Sequence, residues 1–150
     1  MEEALEDAKE EIKRADHLLY VSLKYTRTVD VIRSLIERLI STFDFAILSL
    51  LKYAKEKNKI KEIPNTPFTR CEVLKNIFTE LKLEDFLDLY LLLRKIMRGE
   101  YTRREEYRRH VTMISEVENK KIEINIDILH EYYNKTKKFL KTVEKVIKNA

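Results

Sequence analysis

Residues 29–57, VDVIRSLIERLISTFDFAILSLLKYAKEK, are the stretch that decides the fold. Apolar residues recur in it at intervals of three and four, the spacing that places side chains on one face of an α-helix. The stripe is the widest in the chain and consists of Ile32, Leu35, Ile36, Leu39, Ile40, Phe43, Ile47, Leu50, Leu51 and Ala54. We therefore predict that this segment is the core helix of a helical protein.

The segments on either side of the core helix are predicted to be helical as well. They are residues 2–24, 67–81, 86–98, 103–115 and 126–147. Thr102-Arg-Arg-Glu105 fits a capping box, so the helix after it is expected to begin at Arg103. Gly99 is expected to be the C′ residue of the helix before it.

Polar or proline-containing stretches separate the predicted helices. A break is expected at residues 26–30, where Thr28 or Asp30 is the N-cap candidate for the core helix. Residues 58–66 form the clearest linker, and Thr66-Pro67 has the form of an N-cap followed by a first-turn proline. Residues 83–85 are expected to form a kink or a loop.

The composition favours a single helical domain. The chain has 150 residues, of which 44% are hydrophobic, but only one glycine and two prolines, the residues that break helices. We predict an all-α fold, an up-and-down bundle of about five to six helices spanning residues 1–150. The alternation of Ile122, Ile124 and Ile126 adds the expectation of a short β-hairpin before the last helix.

Several classes of protein are disfavoured by the sequence. The apolar runs at residues 45–51 and 89–93 are shorter than the roughly 20 residues of a membrane span. The first residues, MEEALED, are acidic and lack the pattern of a secretory signal, so we expect a cytoplasmic location with no membrane association. Cys71 is the only cysteine, which leaves neither an internal disulfide nor a zinc site to expect. The net charge of +4 is too small to indicate nucleic-acid binding by itself.

Residues 98–110, RGEYTRREEYRRH, are the stretch that suggests chemistry. In the helix predicted from Arg103, residues three, four or seven apart share a face, so Arg103, Glu106 and His110 form one stripe. Imidazole moves protons at neutral pH, and arginine binds phosphate and stabilises developing charge. The pattern indicates phosphodiester chemistry that requires no metal or cofactor. The alternative interpretation is a solvated helix face with local ion pairs.

Basic residues and tyrosines around this stretch predict contacts with RNA, because cations bind phosphates and tyrosine rings stack on bases. The predicted RNA-binding residues are Arg98, Tyr107, Arg108, Arg109, Lys24 and Arg27. Lys24 and Arg27 share a helical stripe with His17 and Tyr20 that is expected either to line the same groove or to be an exposed polar face. His130 is interpreted as a surface residue.

The arginine and histidine pattern resembles a known signature. An arginine separated by four to six residues from a histidine, shortly before the last long helix of a small bundle, is similar to the motif of the HEPN superfamily. Arg103 and Arg104 both have this spacing to His110. The resemblance covers mainly residues 94–148. It implies metal-independent RNA cleavage at a composite homodimer site, with His110 as the proton-transfer group and Arg103 or Arg104 on the phosphate.

Two main hypotheses follow for the function. The first is a HEPN-like endoribonuclease or toxin-type RNase with His110, Arg103 and Arg104 as catalytic residues. The second is a non-catalytic HEPN-like module that binds RNA or a protein partner, such as an antitoxin or a nucleotidyltransferase, and is also expected to form a homodimer. Arg104 and Glu105 stand where many active HEPN proteins have asparagine or aspartate after the arginine, which favours the second hypothesis. A third possibility is a plain dimerising bundle.

Overall fold

The computed structural model of the chain describes residues 1–149 and is mostly helical, with one small antiparallel sheet. Its elements are α1 Glu2–His17, a π-helical turn Leu18–Ser22, α2 Leu23–Tyr25, α3 Val29–Glu56, α4 Pro67–Ile77, a 3₁₀ turn Thr79–Leu81, α5 Glu84–Arg98, β1 Tyr101–Arg104, β2 Thr112–Val117, β3 Lys120–Ile124 and α6 Ile126–Lys148. Within residues 1–149, none of the helices combines the length and the apolar character that a membrane span requires.

Helix α3 is the centre of the molecule, as its sequence predicts. It packs against α1, α4, α5 and α6. The predicted apolar stripe is buried along its whole length except for Ile40, which is half-buried. The ring of Phe43 stacks on that of Phe139 in α6, with the ring centroids 5.1 Å apart. Burial of so many large side chains supplies the main stabilisation of the fold.

Side-chain caps fix where three helices begin. The hydroxyl of Thr28 accepts a hydrogen bond from the Val31 amide at 3.3 Å, so the predicted break and cap before α3 are confirmed. Thr66 caps α4 in the same way by accepting from the Thr69 amide at 3.2 Å, and Pro67 occupies the first turn as predicted. The amide oxygen of Asn125 accepts from the amide of Ile128 at 2.9 Å, which starts α6.

The helical segment predicted for residues 2–24 is present, but it is interrupted by a π-helical turn. Leu18–Ser22 form this turn between α1 and α2. A π-turn accommodates an extra residue, so side chains after it are rotated relative to those before it. Residues 17 and 24, which are seven apart, therefore do not share a helical face.

The fold is mostly helical, as predicted, but residues 101–124 contain a three-stranded sheet, of which only a short hairpin was expected. These residues form the sheet β1-β2-β3, in which Arg103 is opposite Met113 and Arg104 is opposite Thr112. The helix predicted from Arg103 to Ser115 does not form. Strand β2 instead buries the side chains of Met113 and Ser115 completely. The Ser115 hydroxyl donates to the carbonyl of Ile96 at 3.1 Å, which ties the sheet to α5.

The expected hairpin before the last helix is present as β2 and β3. Glu118 and Asn119 connect the two strands, and both have positive φ, as the turns that suit hairpins require. Gly99 directly follows α5 but is extended, not left-handed as a C′ glycine would be. A Cβ atom at Gly99 would clash with the carbonyl oxygen of Glu116. The single glycine of the chain therefore permits close approach of two backbone segments.

Candidate functional site

The loop between β1 and β2, residues 105–111, folds against the loop between α2 and α3. The backbone amide of Tyr107 donates to the carbonyl oxygen of Arg27 at 2.6 Å. The carboxylate of Glu106 accepts a hydrogen bond from the amide of Val29 at 3.0 Å. We refer to residues 105–111 as the docked loop. Its position joins two stretches of sequence that are about 80 residues apart, a separation that no local pattern spans.

Arg103 is held between two carboxylates at the base of the docked loop. Its guanidinium lies 2.9 Å from the carboxylate of Asp30 and 3.3 Å from that of Glu106. The hydrogen bond from Arg103 to Asp30 raises the pKa of the guanidinium above its ordinary value. Both carboxylates compete with any phosphate for this cation, so Arg103 supports the loop more directly than it presents a free charge.

Arg104 points away from Arg103, because successive side chains of a strand lie on opposite faces of a sheet. It forms an ion pair with Glu123 of β3 on the outer face. The side chain of Arg103 lies on the opposite face, where it meets the start of α3. The two arginines of the predicted catalytic set are therefore directed to different sides of the molecule.

His110 lies at the end of the docked loop and its side chain is exposed. Its backbone carbonyl accepts a hydrogen bond from the Thr112 hydroxyl at 2.8 Å, which fixes the residue just before β2. The predicted helical stripe of Arg103, Glu106 and His110 is wrong, since no helix forms there. Arg103 and Glu106 are in contact nevertheless, because the chain turns back after β1.

Five of the six predicted RNA-binding residues lie on or beside two loops that contact each other, the docked loop and residues 26–28 between α2 and α3. We refer to these two as the joined loops. Lys24 and Arg27 flank Tyr25 in the α2 segment, and the backbone contact between Arg27 and Tyr107 places the docked loop beside it. The exposed side chains of the next two residues, Arg108 and Arg109, belong to the same loop. The two predicted stretches therefore contribute to one surface.

Arg98 is separate from this surface. It ends α5, three residues before β1, and lines a shallow pocket with Gly99 and Glu118. Tyr101 is paired with Ser115 and Arg104 with Thr112, so Arg98 lies beyond the end of the β1–β2 ladder that is remote from the docked loop. Arg98 therefore does not share a surface with the other five residues, and its RNA-binding role stays a prediction that the structure does not group with theirs.

The joined loops also carry the most exposed aromatic rings of the described residues. Tyr25 is 81% exposed and Tyr107 is 78% exposed. Tyr20, in the π-helical turn, is 49% exposed and meets the imidazole of His130 edge-on, with the ring centroids 5.4 Å apart. His130, predicted to be a surface residue, is thus half-buried against Tyr20. The rings of Tyr25 and Tyr107 are therefore accessible to a flat ligand that stacks on them.

Arg33 is a site residue that the sequence analysis missed. Its guanidinium carbon lies 4.0 Å from the centroid of the Tyr101 ring, a cation–π contact. Among the buried side-chain polar atoms of residues 1–149, Nη1 of Arg33 and Nε of Arg27 have no hydrogen-bond partner. One signal was present in the sequence: Arg33 follows Asp30 by three residues on the core helix, at the edge of the apolar stripe.

His17 is not part of the joined loops. The π-helical turn separates it from Lys24 and Arg27, and it lines a different cavity between α1 and α3. Among residues 1–149, no group of three or more His, Cys, Asp or Glu side chains has the placement of a metal site.

Comparison with known proteins identifies no relative, since no protein-family model, curated protein or solved structure matches the chain. Membership of the HEPN superfamily therefore stays a prediction.

Proposed function

We propose that this protein binds single-stranded RNA without cleaving it, through the surface that the docked loop forms with the α2–α3 loop. The observation that carries the proposal is the contact between Tyr107 and Arg27, because it joins the two basic and tyrosine-containing stretches of the chain. Exposed tyrosines beside cations are the combination that single-stranded nucleic acids bind.

The division of roles follows from exposure and charge. The ring of Tyr25 lies beside one of the joined loops and the ring of Tyr107 on the other. Both rings are exposed to solvent, so each can stack on a base. Lys24, Arg108 and Arg109 are exposed cations that can contact phosphates. Stacking accepts every base and phosphate contacts carry no sequence information, so we expect weak sequence preference.

Binding is better supported than cleavage because the catalytic scheme needs an arginine free to reach the phosphate beside His110. Arg103 is engaged by Asp30 and Glu106, and Arg104 by Glu123 on the other face. A HEPN-like metal-independent endoribonuclease is the second candidate. The observation that favours it is the exposed imidazole of His110, which directly follows Arg108 and Arg109 in the docked loop.

The first experiment is a titration of a fluorescently labelled single-stranded RNA, followed by anisotropy at several salt concentrations. We expect Tyr107→Ala to weaken binding by about 5- to 150-fold, as for removal of the stacking partner of one base. Replacement of Arg108 and Arg109 by glutamine should lower the slope of log affinity against log salt by ~0.7 for each phosphate that the protein no longer neutralises. Arg108→Gln and Arg109→Gln are also made singly, and Arg98→Gln is the matched control for each, because it removes one positive charge away from the surface.

The second experiment incubates the same RNA with the protein in EDTA. We expect the RNA to remain intact. Cleavage that His110→Ala abolishes while it leaves folding unchanged would refute the non-catalytic proposal and support the endoribonuclease. If RNA binding is absent at low salt, or if Arg98→Gln weakens it as much as the change at Arg108 and Arg109, the proposed surface is wrong. A protein partner bound through apolar contacts, the remaining alternative, would respond little to salt.

A further inference from the structure

The surface of the joined loops to which RNA binding is proposed is called the RNA surface below. A cavity of about 450 Å³ between α1 and α3 lies outside it. Its walls carry Lys13, Arg14 and His17 from α1 together with Ser34 and Arg38 from α3. The volume is within the roughly 300–1,000 Å³ of pockets that bind small molecules. Every one of these five side chains can donate a hydrogen bond, which is the character of a site for an anion.

A buried carboxylate orients two of these donors. Glu11 is only 8% exposed and contacts the two arginines that line the cavity. Its two carboxylate oxygens accept hydrogen bonds from Arg14 at 2.8 Å and from Arg38 at 3.1 Å. The arginine side chains themselves remain 59% and 44% exposed, so each guanidinium keeps further N–H groups for another partner. Glu11 thus holds the guanidinium of Arg14 in α1 next to that of Arg38 in α3.

The charges around the cavity leave a positive excess. Lys13, Arg14 and Arg38 are permanent cations, whereas Glu10 and Glu11 are the carboxylates next to them. Glu10 lies 3.6 Å from Lys13 at the exposed rim, where an ion pair contributes little. A phosphomonoester has three strong acceptor oxygens, one more than a diester leaves free, so it can accept hydrogen bonds from more of the five donors.

The π-helical turn begins at Leu18, which also lines the cavity. Such turns are found often at functional sites, because they realign the side chains on either side. Because the turn changes the helical face, His17 before it lines the cavity, whereas Lys24 after it lies at the RNA surface. Ser34 is one helical turn beyond Asp30 on α3, so the cavity adjoins the position where Asp30 holds Arg103.

We propose that the α1–α3 cavity is a binding site for a phosphomonoester, with Arg14 and Arg38 contacting the phosphate and Lys13, His17 and Ser34 adding donors. The phosphate belongs either to a small molecule of the size of a nucleoside monophosphate or to the 5′ end of an RNA. The site is formed by different side chains from those of the RNA surface, and the proposal does not depend on that surface.

The test is a calorimetric titration of the protein at low salt with adenosine monophosphate, with adenosine and with inorganic phosphate. The monophosphate is expected to bind and adenosine is not. Arg38→Gln should weaken binding roughly 10- to 100-fold, as for loss of a hydrogen bond from a charged group. Lys13 and His17 are exposed, so Lys13→Gln and His17→Gln should leave the fold intact, and each should weaken binding as well. Arg98→Gln is the charge control and should have no effect.

The source of the phosphate is distinguished with a short RNA that carries either a 5′-phosphate or a 5′-hydroxyl. Tighter binding of the phosphorylated RNA, lost in Lys13→Gln, assigns the site to RNA ends, whereas binding of the free nucleotide alone assigns it to a small molecule. Equal binding of adenosine and its monophosphate, no binding of any phosphate, or unchanged binding in Lys13→Gln and His17→Gln overturns the proposal. Tyr107→Ala should weaken RNA binding but leave nucleotide binding unchanged, which separates a failure of this site from a failure of the RNA surface.

Discussion

Replacement of Glu106 by alanine should undock the loop and destabilise the protein. The Glu106 carboxylate accepts from the Val29 amide at 3.0 Å, and therefore caps the first turn of α3 from a remote part of the chain. Loss of a side-chain cap costs about 0.5–2 kcal/mol of the free energy of unfolding. The ion pair with Arg103 is exposed and adds little to this loss. For a chain of this length we expect the melting temperature to fall by roughly 1–8 °C.

Two matched variants separate the cap from the charge. Glu106→Gln keeps a carbonyl oxygen that can accept from Val29 but removes the negative charge, so it should be less destabilising than Glu106→Ala. Glu105→Gln changes the neighbouring exposed carboxylate and should have no effect on stability. Thermal denaturation followed by circular dichroism measures all three variants.

The undocking itself is detected by amide hydrogen exchange. In Glu106→Ala the amide of Tyr107, which donates to Arg27, should exchange faster than in the wild type, because the loop opens without global unfolding. RNA affinity should fall as well, since the surface is no longer preorganised. If melting temperature and exchange at Tyr107 are both unchanged in Glu106→Ala, Glu106 does not hold the loop. If Glu106→Gln is as unstable as Glu106→Ala, the charge matters and the cap does not.

Three further predictions concern the fold. Gly99→Ala should lower the free energy of unfolding in urea by about 1–3 kcal/mol, because the added methyl group meets the carbonyl of Glu116; an unchanged midpoint would contradict this packing. Burial raises the pKa of Cys71 to about 11, so its thiol should react with a disulfide reagent only as fast as the protein unfolds. Burial and hydrogen bonds to carboxylates raise the pKa of Tyr90 and Tyr133. The unfolded chain loses these protons first, so the stabilisation that the two tyrosines contribute should be complete below about pH 10 and be lost as the pH rises further, an effect that Tyr133→Phe should reduce.

Local signals were sufficient to predict most of the helical structure. The apolar stripe of α3 and its threonine cap lie within one segment of sequence, and so do the cap and proline of α4. In each case the residues that decide the structure are neighbours along the chain, which is the condition under which periodicity and capping rules apply.

The error at residues 103–115 has a physical cause. The capping-box pattern that ends at Glu105 favours a helix start, but the following residue, Glu106, caps α3 and not its own segment. The strands gain their hydrogen bonds from each other and bury Met113 and Ser115 against the helices. These gains depend on contacts between distant parts of the chain, which outweigh a weak local preference.

The candidate site was predictable in its residue types but not in its geometry. The sequence indicates that Tyr107, Arg27 and Lys24 suit RNA, and the structure brings them together through backbone contacts that no side-chain pattern encodes. The opposite directions of Arg103 and Arg104 follow from strand geometry, which the helical prediction excluded. The separation of His17 from Arg27 depends on one π-helical turn, a feature without a reliable sequence signal.

The docked loop contains two residues with an unfavourable backbone conformation. Glu105 and Tyr107 have φ values of +54° and +66°, which are unfavourable for residues with a Cβ atom. Residues in such conformations cost about 1–3 kcal/mol each and persist where the surrounding structure imposes them. The Tyr107 ring gains little in return from packing, because it is 78% exposed. The loop is strained, is held by Glu106 and Arg103, and exposes an aromatic ring to water. The stability of the fold does not explain this combination. It is explained if the ring has a ligand, and the RNA base that we propose to stack on Tyr107 would be one.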